Sequence, residues 1–205
     1  MPQHLEIKTL DSHLMVWKII EPINYFEEKL SNWQNDFHQI KSEKRKLQFA
    51  ASRYVAALLT NIFDASQFAN AEDRRPFIKN SALQISISHD ENWVAVIVSK
   101  NKVGIDIFCP TEKVFRVAHK FLSDEEKTFL QNYFSNENEN LKWYSMLWCV
   151  KETVFKWMRK DGVEFKEDML LQKIESAEIW MNTAFCGEIK VQTKFEKEFC
   201  LSWLA

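Results

Sequence analysis

The sequence predicts an α+β fold with two similar halves, because a helical pattern followed by strand-like alternation occurs twice along its 205 residues. The hydrophobic fraction of 46% and the aromatic fraction of 14% are ample for a packed core. We therefore predict one compact unit with an N-terminal half over residues 1–102 and a C-terminal half over residues 103–205. Each half is expected to pack a small antiparallel sheet on a long helix.

The N-terminal half begins with strand-like pieces between residues 4 and 20. Apolar residues between Leu47 and Leu59 then recur at three- and four-residue spacing and predict a helix over residues 42–62, with Ser42 as its N-cap. The stretch RRPFIKN predicts a turn into an extended piece. Three runs, LQISIS, WVAVIVS and VGIDIF, are separated by the turn-like HDEN and KNK and predict an antiparallel meander.

The C-terminal half contains three predicted helices before its strands. The first two are TEKVFRVAHKFL and SDEEKTFLQNYF, and Ser123 with Glu126 forms a capping box for the second. The stretch NENEN predicts a polar loop, and LKWYSMLWCVKETVFKWMRK predicts a long helix that ends near Gly162. In the tail, EIKVQTKF and KEFCLSWL alternate and predict strands.

Composition limits the function and the location of the protein. A net charge of −2 gives no overall basic field that would favour nucleic acid. The N-terminal residues lack the pattern of a signal peptide, and no apolar run reaches the roughly 18 residues that span a bilayer. The four cysteines are scattered without a C-x-x-C pair, which favours reduced thiols. We therefore expect a cytoplasmic protein that can work as a monomer.

The run VGIDIF holds one of only three glycines in the chain and a single carboxylate. Asp106 lies on the strand face opposite Ile105 and Ile107, so it is either a solvated residue of a half-exposed strand or a metal ligand. Gly104 shares the face of Asp106, and a strand glycine often allows a ligand to approach closely. Both alternatives stay open on this pattern alone.

The helical run WCVKETVFKW places Trp148, Glu152 and Lys156 on one face at positions i, i+4 and i+8. This spacing is either a routine Glu–Lys pair, which stabilises a helix by about 0.2–0.5 kcal/mol, or part of a functional site. Because Trp148 and Phe155 flank the face, we expect it to be partly buried. A carboxylate and an ammonium in that setting suit a magnesium–phosphate site.

Other candidates are a histidine and three arginines in the N-terminal half. His89 ends a strand beside Asp90, and a structural role is the commoner alternative for a single histidine. Arg53 lies in a mostly apolar helix, where a guanidinium must find a partner. Arg45 and Arg75 add donors of the kind that suits phosphate.

Four of these segments together resemble a known family. In their order and spacing, RRPF, ISISH, VGIDI and WCVKETVFK are similar to the 4′-phosphopantetheinyl transferases of the surfactin-synthetase-activating (Sfp) type. The matching segments lie between residues 45 and 157. Their most specific part is G-x-D followed, in the next long helix, by W-x-x-K-E-x-x-x-K.

The resemblance implies two pseudo-symmetric halves with coenzyme A and the active site in the cleft between them. Asp106 and Glu152 would hold Mg²⁺, and Lys156 would contact the phosphate beside the bond that breaks. A serine hydroxyl of an acyl or peptidyl carrier protein would attack the β-phosphate of coenzyme A and release 3′,5′-ADP, as in a holo-[acyl-carrier-protein] synthase. Glu152, or a metal-bound water held by it, is the candidate general base.

The resemblance also implies which residues bind coenzyme A. Ser88 and His89 would contact its phosphate region. Arg53 and Arg75 match positions that hold the 3′-phosphate and neighbouring oxygens, and Arg45 is included with them.

One position departs from the family's pattern, because Phe108 stands where G-x-D-x-E has a second carboxylate. Either activity is lost and the protein only binds coenzyme A or a carrier protein, or Mg²⁺ keeps two protein carboxylates and additional waters. Asp90 is a further candidate oxygen donor. We expect retained activity with two carboxylates. The remaining alternative is a different Mg²⁺-dependent phosphoryl-transfer or phosphodiester enzyme.

A basic stripe follows the predicted metal strand. Lys113, Arg116 and Lys120 fall at positions i, i+3 and i+7 of a predicted helix and share one face. Because carrier proteins are acidic, this stripe is either their docking surface or an ordinary solvated face.

Overall fold

The computed structural model describes residues 3–33, 37, 39–73, 75–133 and 136–205. The strands are β1 (Gln3–Lys8), β2 (Ser12–Lys18), β3 (Phe68–Asn70), β4 (Pro76–Ile78), β5 (Gln84–Asp90), β6 (Trp93–Ser99), β7 (Gly104–Phe108), β8 (Met169–Glu175), β9 (Glu178–Thr183), β10 (Gly187–Phe195) and β11 (Cys200–Leu204). The helices are α1 (Ile23–Lys29), α2 (Glu43–Thr60), α3 (Lys113–Phe121), α4 (Asp124–Tyr133), α5 (Glu137–Met158) and α6 (Phe165–Asp168). The fold is α+β with small antiparallel sheets, as predicted. The chain forms two compact units, one ending at Ile105 and one running from Asp106 to Leu204.

The first unit is built on a four-stranded sheet in the order β1-β2-β6-β5. All its neighbouring strands are antiparallel, and Val96 of β6 pairs with Met15 on one side and Ile87 on the other. Helix α2 packs on this sheet, and its alanines Ala50 and Ala51 are fully buried in the core. Small side chains at these positions let the helix approach the sheet closely.

Helix α2 begins where the sequence predicted, because Ser42 Oγ accepts a hydrogen bond from Arg45 N at 3.4 Å. The helix ends at Thr60, and Asn61 follows in the left-handed conformation with φ 56°. The extended piece predicted in RRPFIKN forms β4, which pairs with β3. Arg74, the first residue of that stretch, lies outside the described residues.

The predicted three-stranded meander is wrong in its third strand. Strands β5 and β6 form the predicted hairpin, but β7 belongs to the five-stranded sheet of the second unit, in the order β7-β11-β10-β9-β8. Local turn residues predicted the connection between β6 and β7 correctly as a turn. They carry no information on long-range pairing, and the partner of β7 is β11, close to the end of the chain.

The long helix α5 packs on β11 and β10 and organises the core of the second unit. The prediction of a loop for NENEN is wrong, because the helix already starts at Glu137. Asn136 is its N-cap, and Asn136 Oδ1 accepts a hydrogen bond from Glu139 N at 2.8 Å. Its C-terminus is also earlier than predicted. Arg159, not Gly162, takes the left-handed position after the last helical residue, with φ 55°.

The capping box of α4 is confirmed. Ser123 N donates to Glu126 Oε2 at 2.8 Å, and Glu126 N donates to Ser123 Oγ at 3.1 Å. The tail forms the two predicted strands, β10 and β11, and also β8 and β9, which the sequence analysis did not identify. In β8 the register with β9 shifts between Leu171 and Lys173, so its side chains do not alternate regularly. Among the described residues, no helix is both long and apolar enough to cross a bilayer.

Candidate active site

Asp106 lies in the middle of β7 and is buried, with 6% of its surface exposed. Its neighbours Ile105 and Ile107 are also buried, so both faces of the strand are covered. This rules out the alternative of a solvated carboxylate on a half-exposed strand. A buried carboxylate requires a compensating partner.

One compensating partner of Asp106 is Lys156, which lies in the last turn of α5. Its Nζ lies 2.6 Å from Asp106 Oδ1, and about a quarter of the lysine side chain (26%) is exposed. The short charge-assisted hydrogen bond joins a strand residue to a helix residue 50 positions further along the chain.

Glu152 lies one helical turn before Lys156 and is half-buried. The pKa of Glu152 is raised to about 7, chiefly by desolvation and also by the negative charge of Asp106, while the ammonium of Lys156 opposes both effects. The two carboxylates and the ammonium therefore form one electrostatically coupled group. A carboxyl group whose pKa lies near neutrality is typical of functional sites.

Buried polar contacts join α5 to strands β7 and β11. Cys149 Sγ donates to the backbone oxygen of Asp106 at 3.2 Å, and Ser202 Oγ lies 3.3 Å from the same sulfur. Thr153 Oγ1 lies 2.6 Å from Ser202 Oγ. Burial raises the pKa of Cys149 well above its usual range, so the thiol stays protonated and remains a donor. The sequence analysis treated this cysteine only as a reduced thiol.

Aromatic side chains cover the helix face beside Glu152, as the sequence predicted. Trp148 packs edge-on against Phe121 with ring centroids 5.1 Å apart and also contacts Phe165 at 5.8 Å. Phe155 contacts the same Phe165 ring at 5.5 Å. These contacts leave Trp148 and Phe155 partly buried against the core of the second unit.

The carboxylates present fit a magnesium ion. Mg²⁺ is commonly held by one or two carboxylates and completes its shell with water and substrate phosphate. Asp106 and Glu152 would supply two such ligands, whereas Phe108 packs against the core of the second unit and would supply none. Within the described residues, no cluster of three or more histidine, cysteine or acidic side chains is suited to hold a metal.

The other predicted site residues belong to the first unit. On β5, Ser88 is buried and His89 is exposed. Asp90 ends the strand, and its Oδ1 accepts a hydrogen bond from Glu91 N at 2.9 Å, which stabilises the turn to β6. This contact gives Asp90 a structural role in the hairpin.

The three predicted arginines have different environments. The guanidinium of Arg53 is buried and lies over the ring of Phe49, with Cζ 4.7 Å from the ring centroid. Arg75 forms an ion pair with Asp73 and is partly exposed. Arg45 is exposed, and only its backbone takes part in capping α2.

The basic stripe lies on α3, and all three of its members, Lys113, Arg116 and Lys120, are exposed. Two apolar side chains of the same helix are also exposed, Phe115 to 41% and Val117 to 37%. These exposed side chains are compatible with both alternatives, a docking surface and a solvated face.

A fully buried ion pair next to the site was not predicted from the sequence. Lys151 Nζ lies 2.7 Å from Glu126 Oε2, and the lysine side chain has no exposed surface. Desolvation lowers the pKa of Lys151, and the Glu126 carboxylate opposes this effect. A pattern could have revealed the lysine, because it continues a helix stripe whose other members, Leu147, Val154 and Met158, are buried and apolar.

The class of protein is indicated by a family comparison. Residues 102–202 match the family model of the 4′-phosphopantetheinyl transferase superfamily. The match covers nearly the whole second unit and includes Asp106, Glu152 and Lys156. The second unit is thus similar to this superfamily.

Two curated relatives agree with that class. A protein of Haemophilus influenzae described as a putative 4′-phosphopantetheinyl transferase is 30% identical over 96 residues, which are 44% of this chain and 40% of the relative. The 4′-phosphopantetheinyl transferase gsp of Aneurinibacillus migulanus is 30% identical over 104 residues, which are 51% of this chain and 43% of the relative. Each match thus spans less than half the length of the relative. The names of both relatives describe 4′-phosphopantetheinyl transferases.

Proposed function

We propose that the protein transfers the 4′-phosphopantetheine group of coenzyme A to a serine of an acyl or peptidyl carrier protein, in the manner of the Sfp type. The observation that carries the proposal is the coupled group of Asp106, Glu152 and Lys156, with 2.6 Å between Asp106 Oδ1 and Lys156 Nζ. This group lies inside the segment that matches the superfamily. Its two carboxylates and one ammonium are the charges that a magnesium-assisted phosphoryl-type transfer needs.

In the proposed reaction, the serine Oγ forms a bond to the β-phosphorus of coenzyme A. The bond from that phosphorus to the bridging oxygen breaks, and 3′,5′-ADP leaves with the electron pair. Glu152 accepts the serine proton, and Lys156 contacts the phosphate whose charge grows during departure. Mg²⁺ held by Asp106 and Glu152 would neutralise pyrophosphate charge.

We assign coenzyme A contacts to residues of the first unit on the basis of the resemblance. His89 is exposed on β5 and can reach a phosphate from solvent, and Ser88 precedes it. Arg53 and Arg75 would bind the 3′-phosphate and neighbouring oxygens, and Arg45 is included with them as a candidate. Asp90 is kept as a further candidate oxygen donor, because only its Oδ1 is used in the hydrogen bond from Glu91 N.

The experiment that tests this function is mass spectrometry of apo carrier proteins incubated with the protein, coenzyme A and Mg²⁺. We expect a mass gain of one phosphopantetheine group, abolished by a chelator. A protein that binds coenzyme A but modifies none of several apo carriers would instead support the second candidate function, a binding relative without turnover. Phe108 is the observation that favours this second candidate.

The carrier protein is proposed to bind the stripe on α3. We expect Lys113→Glu together with Arg116→Glu to lower kcat/KM for the carrier about tenfold at low salt, because charges at an interface rim mainly govern association. The affinity for coenzyme A should not change.

The control for charge reversal is Lys173→Glu with Lys190→Glu, which changes net charge equally on the sheet of the second unit. Steady-state kinetics with varied carrier concentration compare kcat/KM for the carrier between the α3 double variant and this control double variant. Equal losses in both double variants would contradict a docking role for α3.

Phe108 offers a test of the two-carboxylate site. We expect Phe108→Glu to lower the Mg²⁺ concentration needed for half-maximal activity, because residue 108 shares the strand face of Asp106. Its matched control is Phe108→Gln, which loses the same apolar packing without adding charge. Magnesium titrations of both variants check the expectation, and identical Mg²⁺ dependence in the two would count against it.

A further inference from the structure

The buried ion pair missed in the sequence has a complete set of hydrogen bonds. Lys151 Nζ donates to Phe121 O at 2.5 Å, to Glu126 Oε2 at 2.7 Å and to Phe165 O at 3.1 Å. An ammonium has three N–H donors, so each of them has an acceptor. Two of the three acceptors are backbone oxygens at helix ends.

Through the single atom Lys151 Nζ, these hydrogen bonds connect α5 to α3, α4 and α6. Phe121 is the last residue of α3, and its carbonyl is one of the four that a helix leaves without an intrahelical partner. Glu126 lies in the first turn of α4, and its other oxygen accepts Leu171 N of β8 at 2.8 Å. Phe165 begins α6. Lys151 itself directly precedes Glu152 of the candidate active site.

Stability alone is a weak reason for this arrangement. A buried ion pair can often be replaced by apolar side chains of similar size at no loss of stability, because desolvation offsets the attraction between the charges. Directed hydrogen bonds fix the angle and the register of one helix on another more strictly than apolar packing does. The apolar contacts between α3 and α5, such as Phe121 on Trp148, are less directional.

Helix α3 carries the exposed basic and apolar side chains described above, and α5 carries Glu152 and Lys156. We propose that Lys151 is a positioning residue that holds the carrier-binding helix α3 in a fixed place relative to Glu152 and Lys156. This inference rests on the proposed function. A carrier bound to a fixed α3 presents its serine at a fixed distance from the phosphate, and a misplacement of about 1 Å can cost on the order of 10²-fold in rate.

The variant that tests the inference is Glu126→Gln combined with Lys151→Met. It removes both charges together, and the amide oxygen of glutamine keeps the acceptor of the capping box for Ser123 N. Its NH2 group only donates, so the hydrogen bond from Leu171 N is lost. The matched control is Lys142→Met, which removes an exposed lysine of the same helix. We expect the double variant to stay folded, with kcat/KM for the carrier at least about tenfold lower and KM for coenzyme A changed less than twofold.

Two further readouts separate positioning from a general structural defect. Amide hydrogen exchange should accelerate in α3 and stay unchanged in the middle of α5. In combination with Lys113→Glu and Arg116→Glu, the losses in carrier kcat/KM should be less than multiplicative, because both changes act through α3. A global defect would give independent, multiplicative losses.

The outcomes are distinguishable. Normal carrier kcat/KM in the double variant, unchanged exchange in α3 or fully multiplicative losses would overturn the role of Lys151 in an active transferase. A wild-type protein that modifies no carrier would overturn the proposed function and this inference with it.

Discussion

Asp106→Asn is expected to lower the rate of phosphopantetheine transfer by about 10²–10³-fold, the usual cost of removing one preorganised electrostatic group. The substitution removes the proposed magnesium ligand and the charged partner of Lys156 while it keeps the shape of the side chain. It also leaves the backbone oxygen that accepts the Cys149 thiol in place. The measurement is kcat for transfer to a carrier protein at saturating coenzyme A, with a parallel magnesium titration.

A suitable control is Asp161→Asn, which alters an exposed carboxylate after α5. It should keep the wild-type rate within a factor of about 2, since exposed substitutions away from special contacts have small effects. A full rate for Asp106→Asn at low Mg²⁺ concentration would show that another group holds the metal, and the proposed site would have to be abandoned.

Glu126→Ala is expected to lower the free energy of unfolding by about 3–5 kcal/mol, as for other buried ion pairs that lose one partner. The Lys151 ammonium would keep its two carbonyl acceptors but lose its counter-charge. The backbone N–H groups of Ser123 and Leu171 would lose their acceptors as well. Urea denaturation followed by tryptophan fluorescence measures this loss.

The neighbouring Glu125→Ala provides the comparison, because Glu125 is exposed in the same helical turn. Its effect should stay within about 0.5 kcal/mol. A loss below about 1 kcal/mol in Glu126→Ala would mean that water or another side chain replaces the carboxylate.

Much of the site could be predicted from local sequence because its signals are local. A glycine and an aspartate in an apolar strand drew attention to Asp106, and helical spacing placed Glu152 and Lys156 on one face. The capping residues Ser42 and Ser123 were found for the same reason, since a cap depends on positions three residues apart.

What the sequence could not supply depends on contacts between distant residues. The pairing of β7 with β11 was missed because turn residues define connections and not sheet order. The ion pair of Lys156 with Asp106 spans 50 positions, so the helical spacing favoured Glu152 as its partner instead. Lys151 was passed over because a lysine is expected at the surface, and only the packed structure reveals acceptors for all three of its donors.

The seating of Cys149 beneath Asp106 has a practical consequence for thiol chemistry. Cys186 lies exposed between β9 and β10, whereas Cys149 is fully buried and its raised pKa suppresses the reactive thiolate. An alkylating reagent should therefore label Cys186 in the native protein and reach Cys149 only when α5 separates from β7. The rate of Cys149 labelling would then report the rate at which the site opens locally. No additional probe would have to be attached to the protein.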